Sequence, residues 1–312
     1  MKRLSRRLLL SSGLAWLAAG GARAAESAAV VIVSSERSAA YQEAASAVQG
    51  ELVRGGLAPR EVLQLTAAEW AAAVPPGARL YVALGAEAAG LLARSELKAP
   101  VLCTLLPRAA FERVLRDSGR RASNQFTALY LNQPLSRQFD LARLALPQAK
   151  RVGVLLGAES KGQQAQLEEA AEARSLKLIS AQVQPQEPVF GELRKILEET
   201  DVLLALADPQ IYNSSSIQNI LLTSFRARVP MLAFSPAYVR AGALLAVYST
   251  PTQIGQQAGV MARGVLLGRP FGAPQYPQEF SVSVNEHVAR SLGLHLEVPA
   301  LTERLRRLER GP

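Results

Sequence analysis

Small polar residues stand directly after several strand-like apolar runs of this chain, at positions where they could bind a ligand. In open parallel sheets, ligands bind beyond the carboxyl ends of the strands, where helix N-termini also point their free amides. The predicted binding residues come from both halves of the chain: Ser34, Ser35, Gly85, Thr104, Asp208, Asn213, Ser235 and Tyr248. Each has a structural alternative, since serine and asparagine at such positions also cap helices and glycine also forms turns.

Asp208 is the strongest single candidate among these residues. Its carboxylate follows the apolar run 202–207, and it could receive the amino group of a ligand through a charge-assisted hydrogen bond. The alternative is an ordinary Asp-Pro turn, formed with Pro209, before the next helix.

Catalytic and metal-binding signatures are absent from the sequence. It contains no G-x-S-x-G, no H-E-x-x-H, no phosphate-binding loop and no G-x-G-x-x-G after the first strand. The two histidines, His287 and His295, lack the further ligands that a zinc site needs, and the single cysteine, Cys103, lies in an apolar run typical of a core. We therefore predict a protein that is not an enzyme, with no catalytic residue, no metal and no cofactor.

The elements that must position the polar residues are alternating strands and helices. In the first half, strands are predicted at 28–34, 61–66, 79–84, 99–106 and 125–131. In the second half, they are predicted at 151–156, 177–183, 201–207, 230–235 and 243–248. Helical periodicity between the strands predicts crossover helices, including 135–145, 161–174, 189–199 and 215–227. The pattern predicts an α/β fold of two doubly wound parallel-sheet lobes with a ligand cleft between them.

The domain boundaries follow from these two series. We expect an N-terminal lobe over 25–133, completed by part of 249–284, and a C-terminal lobe over 134–248. The segment 249–312 is expected to supply a crossover, a hinge and the C-terminus, with a helix at 251–267, a strand at 279–284 and a short helix at 285–292. About 288 residues after export exceed one comfortable core, which agrees with two domains.

The first 24 residues have the pattern of a cleavable signal peptide. Four basic residues precede an apolar stretch of about a dozen residues, and Ala22-Arg23-Ala24 suits signal peptidase. Arg6 and Arg7 also resemble a twin-arginine signal, so both the general secretory and the twin-arginine routes to the periplasm stay open. Five basic residues of this segment account for more than half of the formal charge of +9, and no nucleic-acid partner is predicted.

An ordered series of short motifs resembles the substrate-binding proteins of bacterial ABC transporters, in the branch whose better-known members bind tryptophan or tyrosine. The motifs are Asp208-Pro209, Ile217-Gln218, Arg228-Val229-Pro230-Met231, Ala241-Gly242-Ala243-Leu244, Gly255-Gln256-Gln257-Ala258, Leu267-Gly268-Arg269-Pro270, Val284-Asn285 and Ala289-Arg290-Ser291-Leu292-Gly293-Leu294. The resemblance implies the type I periplasmic-binding-protein fold, a ligand at the interlobe cleft and no catalysis. The first lobe departs from the family pattern, because it has Ser34-Ser35-Glu36-Arg37 and Leu106-Pro107-Arg108 where members usually have a more polar loop and an Asp-Pro pair. Residues are therefore carried over only at Asp208 and its neighbours in the second lobe.

The function expected from these features is that of the periplasmic solute-binding component of an ABC-type importer, which captures a small molecule by interlobe closure. The expected partners are a small-molecule ligand, an amino acid or similar, and an ABC permease or other membrane receptor, with the chain itself a monomer. Three alternatives stay open: a binding module or adaptor for a sensor or an outer-membrane uptake system, an interaction protein whose cleft binds nothing, and an exported hydrolase on a similar scaffold.

Overall fold

A computed structural model describes residues 28–72 and 77–310 of the chain. The predicted signal peptide lies outside these residues. The described chain forms two lobes, each built on one sheet, and the predicted class of two mainly parallel α/β lobes is confirmed.

The first lobe is a five-stranded parallel sheet in the order β2-β1-β3-β4-β5. Its strands are β1 (Val30–Ser34), β2 (Val62–Thr66), β3 (Leu80–Leu84), β4 (Val101–Leu106) and β5 (Phe126–Tyr130). Its helices are α1 (Ala39–Arg54), α2 (Ala67–Ala72), α3 (Ala86–Arg94) and α4 (Arg108–Ser118), with a 3₁₀ turn at Pro59–Glu61. β1 and β3 are apolar along nearly their whole length because helices cover both faces of the sheet.

The second lobe is a six-stranded sheet in the order β11-β10-β9-β8-β6-β7. Its strands are β6 (Arg151–Leu156), β7 (Lys177–Gln182), β8 (Val202–Leu204), β9 (Met231–Ala233), β10 (Leu245–Tyr248) and β11 (Ser281–Val284). Its helices are α5 (Leu135–Ala145), α6 (Gln164–Glu172), α7 (Val189–Glu199), α8 (Ile217–Arg226) and α9 (Pro236–Ala241), with a 3₁₀ turn at Lys161–Gln163. β11 pairs antiparallel with β10, whereas the other pairs in this sheet are parallel.

The chain returns from the second lobe to the first through α10 (Pro251–Leu266). Ile254, Ala258 and Ala262 of this helix are buried in one cluster with α1 and the first sheet. Two glycines allow the helices to approach closely, since a Cβ on Gly255 would lie 2.4 Å from the Ala44 carbonyl oxygen and one on Gly259 would lie 2.4 Å from the Glu51 Cβ. The segment after α10 runs along the free edge of β5, where Gln275 exchanges backbone hydrogen bonds with Ala128 and Tyr130.

The last elements belong to the second lobe. β11 completes its sheet, and α11 (Glu286–Ser291) and α12 (Val298–Arg310) follow. α12 is strongly amphipathic and buries Leu301 and Leu305 in the core that also holds Phe139 of α5. The chain therefore passes between the lobes three times, after β5, after β10 and before β11.

The strands β8 and β9 are shorter than the predicted 201–207 and 230–235. The backbone leaves the β8 ladder after Leu204 and folds into a turn, in which the Asp208 amide donates to the Leu206 carbonyl at 2.8 Å. The apolar residues beyond the ladder, Ala205 and Leu206, stay buried because they face the other lobe and the adjoining core. The strands predicted from hydrophobicity alone were therefore too long.

Candidate functional site

A small cavity lies between the lobes, at the carboxyl ends of strands from both sheets. From the first lobe it is lined by the start of α4 and the loop after β5, and from the second by the residues after β8 and β9 and the end of β10. The lining residues are Pro107, Arg108, Ala109, Asn132, Gln133, Leu135, Gln138, Gln163, Ala205, Leu206, Ala207, Phe234 and Val247. The cavity volume is about 20 Å³, room for about one water molecule. The lobes are thus in close contact in this conformation.

Arg108 is the only charged residue among the described residues that line this cavity. Its position is fixed at the first turn of α4, where its backbone amide donates to Asn132 Oδ1 at 2.9 Å. Its guanidinium donates from Nε to Glu112 Oε1 at 2.7 Å and from Nη1 to Gln166 Oε1 at 2.9 Å. Gln166 lies on α6, so Arg108 spans the cleft from one lobe to the other.

Aromatic rings of the first lobe form the wall behind Arg108. The Tyr130 and Tyr276 rings meet edge to face, with centroids 5.1 Å apart, and Phe111 packs against Tyr130. Burial raises the pKa of Tyr130 to about 12, so its hydroxyl stays neutral at physiological pH. Tyr130 therefore adds no negative charge beside the guanidinium.

A second cavity of about 250 Å³ opens at the mouth of the cleft, between α4 and the loop after β6. It is lined by Ala109, Glu112, Arg113, Arg116, Ala158, Glu159, Lys161 and Gly162. Arg113 of the first lobe forms an ion pair with Glu159 of the second. This ion pair and the Arg108 hydrogen bond to Gln166 hold the lobes together on the same side of the hinge.

Asp208 is 1% exposed, and it organises the loop that carries Glu159. Its Oδ2 accepts hydrogen bonds from the Glu159 amide at 3.1 Å, the Ser160 amide at 2.9 Å and the Ser160 hydroxyl at 2.7 Å. Its Oδ1 accepts from the Gln210 amide at 3.0 Å. Gly157 makes room for the carboxylate, since a Cβ there would lie 2.7 Å from Oδ2. Both carboxylate oxygens are thus occupied within the second lobe.

The structure brings Ser35 and Gly85 together, away from the interlobe cavity. Ser35 Oγ donates to the Leu84 carbonyl at 3.0 Å and accepts from the Ala88 amide at 3.0 Å, so it secures the start of α3. Gly85 has a φ of +91°, and a Cβ there would lie 2.4 Å from the Tyr41 hydroxyl. Ser34 lines a separate cavity of about 290 Å³ within the first lobe.

Thr104 is fully buried in β4, and its Oγ1 has no hydrogen-bond partner in the described part of the chain. The next residue, Leu105, has a φ of +54°, and the pairing of β4 with β5 shifts register between Cys103 and Leu106. Backbone strain of this kind is costly for a non-glycine residue. The bulge directs the chain into Pro107 and the start of α4, and so it places Arg108 at the cleft.

The remaining predicted residues of the second lobe are placed around helix starts and the sheet edge. Asn213 Oδ1 accepts from the amides of Ser215 and Ser216, which caps the turn before α8. Ser235 is the N-cap residue of α9 and makes no side-chain cap hydrogen bond. The Tyr248 hydroxyl lies 3.4 Å from Ser283 Oγ on the neighbouring strand β11.

None of the eight predicted residues lines the interlobe cavity in this conformation, although three of their neighbours do. Ala207, Phe234 and Val247 line it, and each directly precedes a predicted residue. Successive residues of an extended chain point in opposite directions, so an offset of one residue moves a side chain away from the cavity. The strand ends were thus identified from the sequence, whereas the side chains that face the cavity were not.

Arg108, Asn132, Gln133, Gln138 and Phe234 are the main cavity residues that sequence reasoning missed. A signal was available for Arg108, because it follows the predicted strand 99–106 and a proline, and proline is frequent at the start of helices. The glutamines lie in the crossover and in α5, and no pattern in the sequence places them at the cleft.

The three crossovers are joined by a chain of hydrogen bonds at the base of the cavity. Gln133 Nε2, in the first crossover, donates to Ser249 Oγ of the second at 2.9 Å. Ser249 Oγ in turn donates to the Glu279 carbonyl of the third at 2.6 Å. The side chains of Gln133 and Ser249 are buried, so these contacts fix the crossovers relative to one another.

Arg137 of α5 adds the C-terminal helix to this hinge network. Its guanidinium is 5% exposed and donates from Nη1 to Gln133 Oε1 at 2.6 Å and to the Pro277 carbonyl at 2.9 Å. Nη2 pairs with Glu309 Oε2 of α12 at 2.9 Å, and the guanidinium lies 4.3 Å from the centroid of the Phe280 ring. Arg137 is therefore a structural cation of the hinge.

Two kinds of feature are absent from the described part of the chain. None of the helices in residues 28–72 and 77–310 has the length and hydrophobicity of a membrane-spanning segment. The same residues contain no group of three or more histidine, cysteine, aspartate or glutamate side chains placed to hold a metal ion.

Solved structures with the same fold come from several bacteria. A conserved domain protein from Vibrio cholerae has a TM-score of 0.63 at 18% identity, with 89% of this chain and 98% of that chain covered. An ABC domain from Streptococcus pneumoniae in complex with L-Trp has a TM-score of 0.61 at 18% identity, covering 88% and 98%. The ligand-free, open form of a substrate-binding protein with adhesive properties from Clostridium difficile has a TM-score of 0.67 at 17% identity, covering 86% and 95%.

At these identities the likeness shows the fold, which agrees with the predicted type I periplasmic-binding-protein architecture. No curated protein matches the sequence. Residues 66–302, more than half of the chain, match the family described as ABC transporter substrate binding protein. The chain therefore belongs to the ABC transporter substrate-binding protein family.

Proposed function

We propose that this chain is the periplasmic solute-binding component of an ABC importer, which holds a small ligand between its lobes and performs no chemistry on it. The observation that carries the proposal is the interlobe cavity, because strand ends of the second sheet face the start of α4 across it. Ligands of open α/β sheets bind at such carboxyl ends of strands.

Ligand entry requires the lobes to part, since the cavity of about 20 Å³ admits about one water molecule. The contacts that hold the lobes together there, the Arg108 hydrogen bond to Gln166 and the Arg113–Glu159 ion pair, join long side chains that can separate. A ligand that contacts both lobes binds the closed state better than the open state, and it shifts the population by no more than that difference in affinity.

The hinge supports such a motion. Three crossovers join the lobes, and a two-lobe protein moves about a few residues at element ends that absorb the change in φ and ψ. Because Gln133, Ser249 and Glu279 are linked by hydrogen bonds at the base of the cavity, we propose that the crossovers bend together. The lobes then close as rigid bodies, and the closed surface docks on a permease.

The binding residues proposed for this function are those on the cavity wall, with Phe234 as the main apolar contact. We propose that Asp208 acts indirectly, through the loop that presents Glu159 to Arg113. The chain is expected to act as a monomer, since the proposed cleft is formed within one chain.

A thermal-shift screen followed by solution scattering tests the proposal. Metabolites that raise the melting temperature of the mature protein would be titrated in small-angle scattering, where the radius of gyration should fall as the ligand saturates. Phe234→Ala should weaken binding about tenfold or more through lost apolar contact. Phe225→Ala is the matched control, because this phenylalanine is 49% exposed on α8 and does not line the cavity. Saturation without compaction, or equal effects of the two variants, would contradict the proposal.

A further inference from the structure

We infer that the ligand of the interlobe cleft is a small organic acid bound as an anion through Arg108, rather than a zwitterionic or cationic molecule. The inference rests on the proposed function, and it adds the charge class of the ligand. It is carried by the charges that line the two interlobe cavities.

The inner cavity has one charged wall residue, the cation Arg108, and its other polar walls are neutral amides. Guanidinium groups stay protonated in proteins and match carboxylates with two parallel donors. Arg108 uses Nε for Glu112 and Nη1 for Gln166 and Tyr276, while Nη2 has no partner among the described residues. Nη2 is therefore free for an anion, and the two-donor fork is completed when the lobes part and Nη1 leaves Gln166.

The start of α4 reinforces this preference. Its first amide is capped by Asn132 Oδ1, and the next residue, Ala109, lines both interlobe cavities. The partial positive charge of a helix N-terminus stabilises a nearby anion. Arg108 and the α4 N-terminus thus act on the same side of the cleft.

The mouth of the cleft carries an excess of cations. Together, the two cavities present four basic residues, Arg108, Arg113, Arg116 and Lys161, and two acidic ones, Glu112 and Glu159. Both acids are already paired, with Arg108 and Arg113. No ion pair involves Arg116 or Lys161 where the structure describes the chain. A positive cleft of this kind concentrates anions and raises their association rate.

An ammonium group would find no matching carboxylate in the inner cavity. Asp208, which the sequence offered for this role, is buried with both oxygens occupied by its own lobe. A charged group buried without a partner costs far more than a neutral one. The wall does offer a neutral acceptor, Gln138 Oε1, which receives no hydrogen bond from the described residues while Nε2 donates to the Gln133 carbonyl. A hydroxyl on the ligand fits this acceptor.

Matched small molecules with one phenyl body and different charges test the inference on the mature protein by calorimetry. The probes are 3-phenyllactate, 3-phenylpropanoate, phenylalanine and 2-phenylethylamine, and a second series uses 2-hydroxy-4-methylpentanoate, 4-methylpentanoate, leucine and 3-methylbutylamine. The acids should bind at least about tenfold more tightly than the matched zwitterion and amine, and the hydroxy acids best of all.

Arg108→Gln should weaken the acids about 10- to 100-fold and remove the preference over the zwitterions, because charge-assisted hydrogen bonds are lost. Arg108→Lys keeps the charge without the planar fork and should lose less. Arg290→Gln is the control. This exposed arginine lies on α11, which follows the antiparallel strand β11, and it is therefore near the amino ends of the parallel strands, away from the cleft. Melting temperatures of all variants report whether they fold.

The outcomes separate this inference from the proposed function. Tighter binding of the amines or zwitterions, with no effect of Arg108→Gln, would overturn the inference, while compaction on binding would still support a solute-binding protein. Failure of every acid to bind at millimolar concentration would also overturn it. Because the probe series is measured on the unaltered chain, the charge preference is decided even if the Arg108 variants fail to fold.

Discussion

Replacing Asp208 separates a structural role of this carboxylate from direct ligand contact. In the structure, Asp208 accepts two hydrogen bonds from Ser160, one from the Glu159 amide and one from the Gln210 amide. Ser160 is 1% exposed, so Asp208→Ala leaves its two donors buried without an acceptor. Each such donor costs about 1–3 kcal/mol. Asp208→Ala should therefore destabilise the protein by about 3 kcal/mol, and it should lower the melting temperature by about 6 °C.

Two further variants grade the effect of losing acceptors at this position. Asp208→Asn keeps the shape and one oxygen for the Ser160 donors, but it turns an NH₂ group toward the Gln210 amide, so a loss of about 1–2 kcal/mol is expected. Ser160→Ala removes only the hydroxyl, which should cost about 1 kcal/mol. Denaturant unfolding of the mature protein measures all three, with ligand affinity determined in parallel.

The stability and affinity losses should rise together across this series, because both come from disorder of the loop that carries Glu159. If Asp208→Asn abolished ligand binding while the free energy of unfolding stayed unchanged, the carboxylate would be a direct ligand contact, and the reasoning from its buried hydrogen bonds would be wrong.

Three other perturbations test the fold around the site. Gly259→Leu should destabilise the protein by about 2 kcal/mol or more, because a side chain there meets Glu51 of α1. Gly264→Ala is the control: the position has open space around it, so chemical denaturation should show no change or a gain of up to about 1 kcal/mol. The Arg151 side chain, and after it the nearby backbone amides, lower the pKa of Asp201. The Asp201 carboxylate therefore stabilises the fold above its unfolded-state pKa near 4, and this contribution is lost as the pH falls through the lower folded pKa. Asp201→Asn should reduce the acid sensitivity of unfolding, by at most about 1 kcal/mol because the pair is exposed. Burial raises the pKa of the Cys103 thiol, so iodoacetamide should not modify the native protein at pH 8 but should modify it fully in denaturant, as mass spectrometry would show.

The architecture could be predicted from the sequence because parallel strands buried on both faces leave a strong signal. β1 and β3 are short apolar runs, and the predicted helices 135–145 and 189–199 agree with α5 and α7 residue by residue. Local periodicity also identified α10, which begins at a proline with Thr250 as its cap. These features depend on neighbours in the sequence, and so they are visible there.

The site was harder to predict because it depends on contacts between distant parts of the chain. Asp208 has the residue type and the position after a strand that a ligand contact needs, but the orientation of its carboxylate is set by Gly157 and Ser160, some fifty residues earlier. Arg108 reaches the cleft because β4 bulges at Leu105, a distortion that no residue type in the run 101–106 signals. A shift of one residue at a strand end is enough to exchange a cavity wall residue for a buried structural one.

Pulsed electron–electron double resonance across the cleft tests most directly whether the two lobes close on a ligand. Spin labels at Asp117→Cys on α4 and Glu169→Cys on α6 report the opening, and both positions are exposed while Cys103 is buried. We expect a broad or long distance distribution in the free protein and a single shorter distance when a ligand saturates the cleft. One unchanged narrow distance with and without bound ligand would contradict closure of the lobes.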